Sequence, residues 1–408
     1  MYLVRASRDR QRITRFFLFS AFFLMAVQCA IEPFLAFFLL RLPNVNGLAV
    51  ILIVSFQPLG ALLSGVVGGA MSDRFGRKLI SNIGICGVSM VFFILYLVSV
   101  NWSDANFYPY FVASALFLSG VCFSLYWPVS QAQLADFLPI EERHSAFRKR
   151  YVAINIGAAL GPLAALYTGF AASKAMFLVA SIVYLVYLLV QLLLARCMTR
   201  LDVPVGAEKK SLTNVTQVLT DTKLVYTLLG VIFFLMTYSQ LETNIALLIR
   251  TMFSVDSLAF YTQLVSLNAI SIFLLQPVSS FLERRLSKQI TLIAGGCLSL
   301  LAYGLLGSVE TSKYILFVFV ALLSLAEVLI IPTAAAYVDS LAPPNMRGTY
   351  LGLMTLKRIG NVTGPAIGAF VIAKGGAIAF SLAMAAFCLL SMLSFKLSGE
   401  KREYTSYS

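Results

Sequence analysis

Five ionisable side chains fall inside long apolar runs of this 408-residue chain. Glu32 stands before Pro33 in the first run. Glu242 lies in the polar stretch Tyr238-Ser239-Gln240-Leu241-Glu242-Thr243-Asn244. Glu327 is flanked by Ala326 and Val328, and Lys357 and Arg358 are adjacent. A carboxylate or cation at the centre of a bilayer costs about 2.5–3.5 kcal/mol on the insertion scale, so such residues are usually functional. Glu327, isolated among apolar residues, is the first candidate for a carboxylate that takes up and releases a proton. A static pair with Lys357 or Arg358 is the other reading. Glu32 and Glu242 are placed nearer the outer ends of their runs, where water is available to a cavity. Lys357 and Arg358 either neutralise these glutamates or meet an anionic part of a substrate.

Aromatic and amide side chains accompany the charges. Tyr126, Trp127, Gln131 and Gln133 share one run. Phe34, Phe37 and Phe38 follow Glu32, and Phe233, Phe234 and Tyr238 precede Glu242. Aromatics with a few polar groups suit amphipathic ligands, although any single Phe suits a lipid-facing position as well. Catalytic chemistry finds no such support. His144 is the lone histidine, so no triad or histidine metal site can form. No phosphate-binding loop occurs, and no cofactor is implied. Of six cysteines, all but Cys197 lie in apolar runs without metal-ligand spacing, and they read as small packing residues.

The elements that must hold these groups are membrane helices. The chain is 59% apolar and 12% charged, about half the usual charged share of a soluble protein. The net charge of +13 falls between apolar runs, with no nucleic-acid-binding motif. A span takes about 20 apolar residues. Twelve windows qualify: 14–40, 46–71, 79–100, 106–134, 149–171, 175–197, 223–249, 257–282, 289–308, 313–338, 347–373 and 376–397. The first is not followed by a cleavage site, so it reads as a retained helix and not a signal peptide. Counted by alternate connections, 24 Lys and Arg fall on one side, both termini included, and five on the other. The positive-inside rule places both termini in the cytoplasm. The polar stretch 199–222 reads as a cytoplasmic linker between 1–198 and 223–408.

The two parts repeat one another. Asp136, Pro139 and Arg143 recur as Asp339, Pro343 and Arg347. Gly157, Gly161 and Pro162 recur as Gly360, Gly364 and Pro365. The order is kept, so the chain reads as two parallel six-helix bundles related by pseudo-symmetry.

Gly69, Asp73, Arg74, Gly76, Arg77 and Lys78 match the fixed positions of G-x-x-x-D-R-x-G-R-K. This stretch resembles the loop signature of the major facilitator superfamily. Gly157-x-x-x-Gly161-Pro162 resembles the motif of its proton-coupled exporters, and the chain looks most like the twelve-span drug–proton antiporters. The resemblance implies an all-α membrane protein with the fold of that superfamily. It also implies a gating cluster in which Asp73 and Arg77 join Asp136 to lock the cytoplasmic side, and a bend or close helix approach at Gly157, Gly161 and Pro162. Basic residues that only hold the loop inside are the plainer alternative. Three departures stand out. Ala165 and Leu166 replace a Gly pair. The second-half copy of the signature is reduced to Glu283-Arg284-Arg285. The window 106–134 lacks the Arg found in many relatives, so no proton-relay role passes to it.

The expected activity is secondary export by alternating access. Protons move inward as small amphipathic compounds move outward across a bacterial plasma membrane. A dedicated exporter or importer of one metabolite, such as a siderophore, peptide or sugar, is the first alternative. A receptor or scaffold is the second, and an intramembrane enzyme the weakest. A monomer is expected, with substrate, protons and lipid as partners and no nucleic acid, metal or cofactor.

Overall fold

The protein is described by a computed structural model over residues 2–43, 45–194, 220–252, 256–283, 285–307, 312–343, 350 and 352–399. Most of the expected linker, Gly69, and the side chains of Asp73 and His144 lie outside the described residues. No strand occurs among those described.

Six helices form the first part: α1 (Tyr2–Leu39), α2 (Gly47–Phe75), α3 (Arg77–Trp102), α4 (Tyr108–Asp136), α5 (Ile140–Tyr167) and α6 (Ala175–Leu193). Then come α7 (Thr222–Tyr238), α8 (Asn244–Met252), α9 (Ser257–Glu283), α10 (Lys288–Leu306) and α11 (Ile315–Leu341). A 3-10 turn, Met354–Lys357, leads into α12 (Arg358–Leu397).

Nine helical segments among the described residues are long and apolar enough to cross a membrane. α5 begins with a charged run from Glu141 to Arg150 and is not among them. At 17 residues, α7 is shorter than a full span. The segment Met354–Leu397 has 44 residues, about 66 Å of helix against a hydrocarbon core of about 30 Å. The chain breaks there at Gly376, whose φ of 68° and ψ of −164° are not helical. The break falls where the window 347–373 gives way to 376–397.

Outward-facing side chains are apolar. Leu63, Phe19, Leu274, Ile378 and Leu382 are all exposed, as lipid-facing residues are. Buried hydroxyls bond backward to their own helices, as Ser55 does to Ile51 O (2.8 Å) and Ser324 to Val320 O (2.7 Å). With no water in the hydrocarbon region, such groups need internal acceptors.

The window 223–249 is not one helix. It breaks between Tyr238 and Asn244. Thr237 donates to Phe234 O (2.6 Å) and the Gln240 amide to Met236 O (2.7 Å). Short polar side chains that bond nearby carbonyls compete with the helix ladder, and the run Thr237 to Asn244 is dense in them.

The helices pack into two compact units, one of residues 1–210 with 241–273, the other of 211–240 with 274–408. In the first, α1 packs on α5, α2 on α4, and α3 on both α4 and α6. In the second, α7 packs on α12, and α10 on α11 and α12.

The glycine repeat has a shared geometry. Gly157 and Gly161 of α5 lie directly on α1, where a Cβ would meet the carbonyl oxygens of Phe22 and Ala26. Gly360 and Gly364 of α12 lie in the same way on Ile232 and Met236 of α7. Both partner pairs are four residues apart, so one glycine face seats on one turn of the neighbouring helix. Pro162 and Pro365 follow inside their helices.

Candidate functional site

Arg77 opens α3 and Asp136 closes α4. Arg77 Nη1 lies 2.5 Å from Asp136 Oδ2, with the two side chains 30% and 27% exposed. The same nitrogen donates to Ala132 O at 3.3 Å. Gly76, with φ 94°, makes the corner between α2 and α3, a conformation that favours glycine. Arg74 is exposed, with its guanidinium 5.3 Å from the Phe75 ring centroid. Lys78 is half-buried on the first turn of α3.

Inside the first unit, Glu32 is half-buried on α1. The Gln28 amide, one turn earlier, donates to Glu32 Oε1. Tyr184 of α6 donates to Gln28 Oε1 at 3.0 Å. Tyr184 is fully buried and Gln28 is 8% exposed. A phenol, an amide and a carboxylate thus form a chain across two helices. Glu242 stands in the break before α8, exposed while Leu241, Thr243 and Asn244 are buried. Cys29 of α1 lies within electrostatic reach of both Glu32 and Glu242, so the break brings a second carboxylate into the same neighbourhood. Tyr261 of α9 donates to Leu241 O (3.1 Å) and packs on Phe37 (5.3 Å) and Phe34 (6.4 Å). Phe34, Phe37 and Phe38 are buried, which settles them as packing residues and not lipid-facing ones.

In the second unit, Lys357 ends the 3-10 turn and Arg358 begins α12. Both are half-buried, as is Glu327 of α11. Lys357 is within electrostatic reach of Arg358 and Glu327. Helical residues 350, 352 and 353 precede the 3-10 stretch, so these cations lie within a helical run. Tyr238 is half-buried and packs on Phe234 one turn back, at 5.8 Å.

The polar residues of α4 divide. Gln131 is exposed, while Tyr126 (1%) and Gln133 (2%) are buried. Against them sits Arg150 of α5, which is 5% exposed. Its guanidinium lies 4.5 Å from the Trp127 ring centroid and donates to Ser130 Oγ at 3.2 Å. In the sequence Arg150 follows Arg148 and Lys149 and counts with the basic residues of the connection after the fourth window. Gln28 and Tyr184 were also missed, since neither type is costly enough in an apolar run to draw notice. The spacing of Gln28 and Glu32, one helical turn apart, was the available signal.

Membrane-length helices with ionisable groups held inside them define a multi-pass membrane protein, and its family makes it a transporter. The chain belongs to the Major Facilitator Superfamily, whose sequence profile matches residues 17–358. It is 29% identical over 349 residues to the MFS-type transporter YqjV of Bacillus subtilis, covering 85% of this chain and 82% of that one. It is 31% identical over 156 residues to a Na(+), Li(+), K(+)/H(+) antiporter of Planococcus maritimus, covering 38% of this chain and 36% of that one. Among solved structures, the peptide transporter POT (E310Q mutant) shares the fold, with a TM-score of 0.78 and 16% identity over 94% of this chain and 93% of that one. The protein resides in the bacterial cell membrane.

Proposed function

We propose that the protein is a proton-coupled exporter of small amphipathic compounds, working by alternating access. The observation that carries this reading is the Tyr184–Gln28–Glu32 chain, with Glu242 in the same electrostatic neighbourhood around Cys29. Two carboxylates near one another inside a membrane protein favour shared occupancy by a proton or cation. Glu327 with Lys357 supplies a third exchangeable charge. A proton entering down the field gains about 2.3 kcal/mol per 100 mV, enough for one or two to sustain a useful gradient.

In this reading the chain crosses the membrane twelve times, with both termini in the cytoplasm, as the distribution of basic residues supports. The Gly76 corner and the Arg77–Asp136 pair close the cytoplasmic side. Glycine-seated pairs α1–α5 and α7–α12 transmit the rocking. Everted vesicles test the reading: uptake of an amphipathic dye into the lumen should stop when the proton gradient is collapsed, and unchanged uptake would remove proton coupling.

A second reading is exchange of Na+ or K+ for protons. The Planococcus maritimus relative favours it, as does the Glu32–Glu242 neighbourhood. Adding NaCl or KCl to the same vesicles separates the two. Salt alone would discharge the gradient in the second case and not in the first.

A further inference from the structure

Arg150 is a buried cation about three turns into α5, and no compensating charge pairs with it among the described residues. A guanidinium has five N–H donors. One reaches Ser130 Oγ, and one face covers Trp127. No carboxylate among the described residues is within ion-pair distance of Arg150. Gln133 lies one turn beyond Ser130 on the same face of α4. Both its amide atoms are buried without a hydrogen-bond partner among the described residues, while the Tyr187 hydroxyl faces that of Tyr126. Tyr187 packs edge-on against Tyr126 at 5.2 Å. Arg150 thus reaches from α5 to Ser130 and Trp127 of α4, with the Gln133 amide one turn further along α4 and the Tyr126–Tyr187 contact bringing in α6.

A static role explains this poorly. An uncompensated buried charge is strongly destabilising, and an apolar residue of similar volume serves packing at least as well. Unsatisfied donors beside the cation add to the cost. An oxyanion removes both costs at once, because a guanidinium presents two parallel donors to a carboxylate or phosphate, while the amide and hydroxyls supply the remaining bonds. Aromatic rings at Tyr126 and Trp127 suit an attached apolar body.

We infer that Arg150, with Ser130, Gln133 and Tyr187, is the seat for the anionic group of a transported amphipathic carboxylate or phosphate. This rests on the transporter reading and narrows its substrate class.

The protein contains its own reporter. Of two tryptophans, Trp102 is 54% exposed at the end of α3, and Trp127 lies under Arg150. In the full chain carrying Trp102→Phe, Trp127 emission is followed during titration with benzoate and phenyl phosphate, and with benzamide and benzylammonium as controls. The expected result is a saturable change with at least one of the two anions and none with the neutral or cationic ring. Arg150→Gln should weaken that response at least tenfold, and Gln133→Leu severalfold. An equal response to benzamide, no response to either anion, or an unchanged affinity in Arg150→Gln would overturn the proposal. If Arg150→Gln does not fold, the comparison of anion with amide on otherwise native protein decides alone. The readout needs no proton gradient, so failure of the anion seat shows here, while failure of proton coupling shows only in vesicle transport.

Discussion

Arg77, the first residue of α3, closes a 2.5 Å ion pair with Asp136, the last residue of α4. α3 and α4 already pack along their lengths, with Gly84 and Gly87 lying on Cys122 and Tyr126, so the ion pair adds a rearrangeable charge at the ends of a packed helix pair. With about a third of each side chain exposed, the pair contributes about 1 kcal/mol or less to stability. Arg77→Ala and Asp136→Asn should therefore leave the melting temperature within a few degrees of the native value. Each should lower dye efflux about tenfold, and the exchange Arg77→Asp with Asp136→Arg should recover part of it. Full activity in both single variants would reduce the pair to a topological marker.

The Tyr184–Gln28–Glu32 chain makes a graded prediction. Glu32→Gln should abolish efflux driven by a pH gradient while leaving downhill dye equilibration intact, because the proton site is lost and the path is not. Gln28→Leu should fall between this variant and native protein. Tyr184→Phe should cost least, about two- to fivefold, since one neutral hydrogen bond is worth about 1 kcal/mol. A reversed order would detach the relay from coupling.

Gly161 and Gly364 have no room for a side chain. Their Cβ positions meet the backbone at Ala26 and Met236. Gly161→Ala and Gly364→Ala should each cost about 1–3 kcal/mol through overpacking and reduce transport in parallel. Gly304 of α10 has nothing within 4 Å of its Cβ position. Gly304→Ala should match the native melting temperature or exceed it slightly, as helix propensity favours alanine. Thermal melting in detergent compares the three directly.

Glu327 and Lys357 interact within the second unit. Removing one charge leaves the other poorly compensated. Glu327→Gln alone should destabilise more than Glu327→Gln combined with Lys357→Met, and this double-mutant comparison measures the coupling. If only the single variant's transport fails and its stability is untouched, Glu327 acts on the proton and not as a static partner of Lys357.

Much of this arrangement was legible in the residues, and the failures have physical causes. Length and hydropathy mark membrane helices, because lipid demands about 20 apolar residues. Repeated glycines mark close helix contacts, because nothing larger fits on a neighbour's backbone. The break at 239–243 was hidden because Leu241 and the flanking apolar runs carry the window, while the competition from Thr237 and Gln240 acts locally. Arg150 was hidden for a different reason. It follows Arg148 and Lys149, and a cation at the edge of an apolar run reads as loop until helix α5 is seen to carry it onto Trp127. Lys357 and Arg358 stand out in the sequence as charges within an apolar run, and a local 3-10 tightening at Met354–Lys357 has no marker there.

Proton coupling through Glu32 is tested most directly in everted vesicles whose lumen has been acidified by respiration, with an acridine dye reporting the pH gradient. Adding an amphipathic cargo to vesicles containing the native protein should restore acridine fluorescence as protons leave the lumen. Vesicles containing Glu32→Gln should show no such recovery at equal protein content. The same recovery in Glu32→Gln, or cargo uptake by the native protein with no proton movement, would contradict the mechanism.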